Sequence, residues 1–202
     1  MDKLDAVGCR IIGSLIEKQL TTPDNYPLTL NALVAACNQK TNREPVTELG
    51  EDEVSRALDR LQQRSLAWRV LGGRSVRWDH NADKRWLLTP ETKALIALLL
   101  LRGPQTSGEL RSRSDRMFLF ESIDDVESAL RALSGRDEPL VASIPRRAGQ
   151  KEDRWISLAG DIPPDDKPAR ASEAMEVRLA RLEALVGRME AELAELKLKL
   201  GE

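Results

Sequence analysis

Two short glycine-bearing stretches gather cations. Arg69, Arg74 and Arg77 lie around Gly72 and Gly73, and Arg146, Arg147 and Lys151 surround Gly149, with Glu152 nearby. Guanidinium and ammonium groups carried on loops are the side chains that meet phosphate oxygens. Arg56, Arg60 and Gln63 recur at three and four residues and so share one helix face, from which Arg and Gln can read base edges. That chemistry is contact with duplex nucleic acid, not bond making. Ser-His-Asp sets, phosphate-cradling loops and dinucleotide fingerprints do not occur. The polar runs Thr21 to Tyr26 and Asn38 to Arg43 hold Asp24, Tyr26, Lys40 and Arg43, with Glu17 and Lys18 near. An acid-base site or anion pocket could be assembled from these groups, but turn-forming and capping roles explain most of them. No catalytic residue is assigned, and an enzyme is not expected.

Cys9 and Cys37 lack CxxC spacing and His80 is the one histidine, so no zinc site, disulfide framework or cofactor is expected. The thiols read as reduced and buried in a cytoplasmic protein. His80, beside Asp79, Asn81 and Asp83, reads as solvated.

The elements that position these residues follow from periodicity. Leu4, Val7, Ile11, Leu15, Ile12 and Ile16 mark an amphipathic helix ending near Leu20, broken by Thr21 to Pro27. A second helix starts after Thr29, and Glu51, Asp52 and Glu53 open a third, where acids suit the positive end of the helix dipole. A hairpin follows. A three-residue loop, Gly72 to Arg74, sets Val70 against Val76, Trp68 against Trp78 and Arg69 against Arg77, which buries a tryptophan pair and turns the arginines outward. Like charges so opposed, about 5 Å apart, cost stability unless an anion or carboxylate lies between them. Arginine stems covering the tryptophan rings are the alternative use of these side chains.

The order then repeats. Val54, Ala57, Leu58 and Leu61 return as Val126, Ala129, Leu130 and Leu133. Thr89-Pro90-Glu91 starts a helix that stops at Gly103-Pro104, Thr106 to Arg113 matches the second helix, and Ile123 to Ser134 is the third. Strands are expected over Leu140 to Ile144 and Trp155 to Leu158. The run Ala94 to Leu101 leaves no polar side, so its helix should be covered all round, by an inter-domain or subunit contact as well as a core. It is also far short of the roughly 20 residues that cross a bilayer. The opening MDKLDAVGCR lacks the pattern of a secretory leader.

Helix, helix, helix, hairpin is the order of a winged helix. The chain therefore reads as mainly α with small β-hairpins: winged-helix domains over 1–84 and 85–160, a proline-rich linker over 161–172 and a coiled-coil helix over 173–202. In the last, Met175, Leu179, Leu182, Val186, Met189, Leu193, Leu196 and Leu200 alternate spacings of four and three. Parallel pairing would set Arg178 against Glu183 and Glu192 against Lys197, so a homodimer is expected. An antiparallel pair or a helix folded back on its own domains stays open.

Charge tempers the nucleic-acid reading. Residues 1–85 carry 13 basic and 12 acidic groups and residues 86–160 carry 11 of each, so phosphate affinity must come from local patches. Taking 100° per residue from Val54, the outward face of the first third helix is Asp52, Arg56, Asp59, Arg60 and Gln63. Its counterpart is Asp124, Ser128, Arg131 and Gly135, which is not basic. Aromatics at 3% argue against single-stranded nucleic acid, where bases need stacking platforms.

The segments LIEKQLTTPDNYPLTLNALVAACNQKTNREPV, LLRGPQTSGELRSR and PRRAGQKEDRW resemble the YceH-like family of bacterial proteins of unknown function, over about Leu4 to Leu158. That resemblance implies tandem winged helices with a charged coiled-coil tail, and carries over no catalytic residue or ligand. The expected role is a regulator that binds double-stranded DNA through its wings; the alternative is an adaptor for a protein partner that leaves DNA untouched. No membrane contact is expected.

Overall fold

The Asp5 carboxylate accepts the Gly8 N–H at 2.7 Å and so caps helix α1, Ala6–Thr21. The computed structural model describes residues 3–71, 75–146 and 150–160. Helix α1 buries Ile11, Ile12, Leu15 and Ile16, the stripe its periodicity marks, and also Gly8, Gly13 and Ser14. After a 3-10 turn, Pro23–Asn25, come β1 (Leu28–Thr29), α2 (Leu30–Cys37), α3 (Glu51–Gln63), β2 (Ala67–Val70), β3 (Arg77–His80) and the short α4 (Ala82–Arg85). Thr29 caps α2 by accepting the Ala32 N–H.

The second run is α5 (Pro90–Arg102), α6 (Ser107–Ser114), α7 (Ile123–Ser134), β4 (Val141–Ile144) and β5 (Arg154–Ser157). Thr89, Thr106 and Ser122 start its helices with reciprocal capping boxes to Thr92, Glu109 and Asp125. Gly103, at φ 71°, ends α5 in a conformation a side chain would strain. Among the described residues there are thus seven α-helices and two small antiparallel sheets. None of these helices is long and apolar enough to cross a membrane.

The sheets show a likeness that local sequence hides. Strand β3 lies between β1 and β2, and Leu28 stands opposite Trp78. In the second run Gln105 stands opposite Trp155, with both backbone hydrogen bonds made, at 3.0 and 2.7 Å. In each run, then, the residue before the capping threonine pairs with the returning strand.

The expected register of the first hairpin is off by one. Val70 pairs with Arg77, Arg69 with Trp78, Trp68 with Asp79 and Ala67 with His80. The pairing with β1 is the physical reason: Leu28 and Trp78, directly opposed, must share the core face, and a one-residue slip sends Trp68 to the other. Trp78 is 5% exposed and Trp68 is 37% exposed, so the tryptophans are not a pair. Arg69 and Arg77 do not oppose each other either. His80, at the inner end of β3, is buried instead of solvated.

Helix α5 is covered all round, Ala94 to Leu101 being buried without a break. Its own α6 and α7 take part of that surface, and α1 takes another. The helices pack tightly at Gly13, where a Cβ would lie 2.9 Å from Leu101 Cγ and 3.1 Å from Leu100 Cβ. One apolar cluster consequently runs through both halves, from Leu4 to Ala159, and the described residues fall in one compact unit. The unit's ends are tied together: Leu4 N–H donates to Ala159 O at 2.7 Å, and Cys9 Sγ occupies the space beside Gly160. Arg74, Arg147, the linker and the whole apolar seam of Leu179, Leu182, Val186, Met189, Leu193, Leu196 and Leu200 lie outside the described residues.

Candidate nucleic-acid interface

The acidic first turn of α3 and its buried Val54, Ala57, Leu58 and Leu61 orient the helix so that Asp52, Arg56, Asp59, Arg60 and Gln63 face solvent. The structure brings this face to the hairpin through one ion pair. Arg69 donates to Asp59 at 2.8 Å, and its guanidinium lies 5.1 Å from the centre of the Trp78 ring. The carboxylate that an outward arginine calls for is thus supplied by α3. Arg60 reaches the other way, to Asp5 at 2.8 Å. Both pairs are about half exposed, so each holds its side chain in place with little energy, between about 0 and 1 kcal/mol. Arg56 and Gln63 are exposed, with no ion pair or side-chain hydrogen bond among the described residues.

Arg77 donates to Pro27 O at 2.7 Å and stays exposed on the far face of the sheet. Around it the hairpin also shows apolar groups: Leu71 and Val76 are exposed, and Lys84 sits 6.0 Å over the Trp68 ring. In the second hairpin Arg146 and Lys151 are exposed and close, the Arg146 guanidinium donating to Lys151 O at 3.3 Å and its N–H to Asp153 at 3.0 Å. Arg154, which periodicity and motif do not mark, makes a two-point contact with Glu109 at 3.0 and 3.1 Å and pins β5 to α6.

Two buried polar groupings draw on the polar runs that hold Tyr26 and Arg43, although the sequence does not show their pairings. Arg43 is fully buried and donates to both Glu17 oxygens, at 3.1 and 2.6 Å, and to the Ala36 and Asn42 carbonyls and Gln39. The second grouping surrounds His80. Its Nδ1 accepts the Ala82 N–H at 3.3 Å, which leaves Nε2 protonated and donating to Gln19 Oε1 at 3.0 Å. The His80 N–H donates to the Tyr26 hydroxyl, which donates on to Asp79, and Lys93 bridges Gln19 and Asp83 at 2.9 Å each. Burial raises the Tyr26 hydroxyl above its ordinary range, and Asp79 adds to the rise. Burial likewise pushes the Cys37 thiol up to about 11, which leaves it an unreactive apolar group.

Burial also lowers His80 below its ordinary value; Asp83 and Asp79 oppose the drop and Lys93 reinforces it. The folded state therefore holds His80 neutral, while the unfolded chain takes up a proton near pH 6.5. Its share of stability is present above that pH and is lost as pH falls toward the depressed folded value. Denaturation midpoints should decline between about pH 7.5 and 5, by no more than about 1.4 kcal/mol per pH unit from this group. His80→Gln, which cannot charge, should decline less steeply. Equal slopes in the two proteins would remove His80 as the cause.

Residues 4–150 match a family described as a protein of unknown function, DUF480. A UPF0502 protein of Chromobacterium violaceum is 44% identical, the match covering 98% of this chain and 92% of that one. UPF0502 proteins of Pseudomonas fluorescens and Mesorhizobium japonicum are 45% and 46% identical; each match covers 96% of this chain, and 94% and 96% of theirs.

Proposed function

Since the chain belongs to the DUF480 family, whose description assigns no activity, we propose from its own geometry that it is a non-enzymatic, tandem winged-helix regulator that binds double-stranded DNA. One observation carries the reading: helix, strand pairing, helix, helix and hairpin occur twice in the same order, each hairpin with exposed cations, Arg69 and Arg77 in one and Arg146 and Lys151 in the other. In a winged helix these are the groups that meet phosphate, and Arg56 and Gln63 on α3 are free to approach base edges. The heptad seam from Leu179 to Leu200 would join two such chains and couple weak sites through effective concentration.

Duplex affinity should fall linearly on a log–log plot against salt, and changing Arg69, Arg74 and Arg77 to alanine should flatten the slope by about 0.9 for each phosphate no longer neutralised. Absence of salt-dependent binding to any duplex pool would remove the proposal. A second reading is favoured by Asp52 and Asp59 on the exposed face of α3 and by exposed Leu71 and Val76 on the hairpin: this surface then meets a protein, and DNA is untouched. Partners that stay bound to the immobilised chain after nuclease treatment, with no duplex binding, would select it.

A further inference from the structure

A cleft of about 480 Å³ opens where the C-terminal ends of α1, α5 and α6 meet the loop after α2. Lys18, Arg102, Arg113 and Arg116 line it, against the carboxylates of Glu17 and Asp115. Glu17 is bridged at two points by Arg43 and lies 3.7 Å from Lys18, and Arg113 lies 3.7 Å from Glu109, which leaves Arg102 and Arg116 with no ion pair among the described residues and positive charge in excess. These cations come from α1, α5, α6 and the residues just after α6, and only the fold assembles them.

Their crowding is visible in Arg102. Burial lowers it below its ordinary value, the nearby Arg113 lowers it further, Glu44 and Glu17 oppose the drop, and Arg43 adds to it. One terminal nitrogen donates to Asn42, but its Nε–H is buried and finds no acceptor among the described residues. A buried donor left unmade is costly unless something arrives to accept from it. Basic residues at helix C-termini often serve only to offset exposed carbonyls. Here several carbonyls at these ends already have donors. The Thr21 and Thr22 hydroxyls serve Glu17 and Lys18, the Gln105 amide serves Leu98, the Glu44 N–H serves Leu101, and the Met117 and Phe118 N–H groups serve Ser114.

We propose that this cleft binds a small multivalent oxyanion, a phosphate ester or a polycarboxylate, held by Lys18, Arg102, Arg113 and Arg116. The guanidinium forks suit paired oxygens, and Lys18 adds a point charge. The site does not depend on the duplex reading, because none of the hairpin arginines lines it.

The test is calorimetric titration of the full chain with pyrophosphate and, separately, with citrate, each against sodium chloride at equal ionic strength. Saturable binding is expected, weakened about tenfold in Arg113→Gln and again in Arg116→Gln, and unchanged in Arg131→Gln, which lies on α7 outside the cleft. Arg116 is exposed and makes no ion pair among the described residues, so its loss does not threaten the fold. Saturation by pyrophosphate assigns phosphate as the source of the anion, and saturation by citrate alone assigns carboxylate. Binding that never exceeds the chloride control, or that Arg113→Gln and Arg116→Gln leave intact, overturns the proposal.

Discussion

Replacing Arg43 by methionine should lower folding stability by about 3–5 kcal/mol, seen as a lower denaturant midpoint at unchanged slope. The guanidinium is fully buried and donates to five acceptors, among them both oxygens of Glu17, whose side chain is only 10% exposed. The truncated protein keeps a carboxylate that is only slightly exposed at the cleft edge and is left with Lys18, at 3.7 Å, in place of a two-point bridge. The loss measures that stranding more than the worth of the pair, so a double change to Glu17→Met and Arg43→Met should recover much of it. A single variant as stable as the parent would show that Glu17 finds water or a proton without difficulty.

Gly13→Val should cost about 3 kcal/mol, through overpacking. A Cβ at this position already falls 2.9 Å from Leu101 Cγ and 3.0 Å from its Cδ2, and valine adds two more carbons. Helix α1 would have to lift from α5, which opens the cluster the two halves share. Gly13→Ala is milder, because roughly 1 kcal/mol of helix propensity offsets part of the crowding. Unfolding midpoints for the pair should therefore rank parent, alanine, valine. A valine variant at or above the parent would mean that the helices do not meet as described.

The helices are legible in the sequence because their signals are local. Thr29, Thr89 and Thr106 cap where their spacing places them, the acids at Glu51 to Glu53 open α3, and α7 runs over Ile123–Ser134 as its leucine spacing requires. The unbroken apolar side of α5 also announces that more than its own half must cover it. The hairpin register is not legible, because it depends on Leu28, distant in sequence, taking the other edge of β3. Pairing tryptophan with tryptophan satisfies alternation within the hairpin alone. His80 misleads for the same reason: its burial comes from α1 and from Tyr26, not from the acids beside it. The Glu17 and Arg43 pair lies on an apolar helix stripe and a polar loop, and hydrophobic periodicity has no signal for two charges that bury each other. The cations of the cleft come from separated segments and can be gathered only by the folded chain. Arg69, Arg77 and Arg146 are exposed basic groups as their positions in the sequence imply, although the ion pair to Asp59 needs the helix and hairpin side by side.

The hydrogen bond from Leu4 to Ala159 makes the described chain almost a closed ring. A peptide bridge of a few glycines across that gap should then allow the backbone to be cut elsewhere, for example in the loop between β2 and β3, and still refold as a circular permutant. It also means that a fluorophore attached at residue 4 and one attached at residue 160 would report on the same corner of the fold.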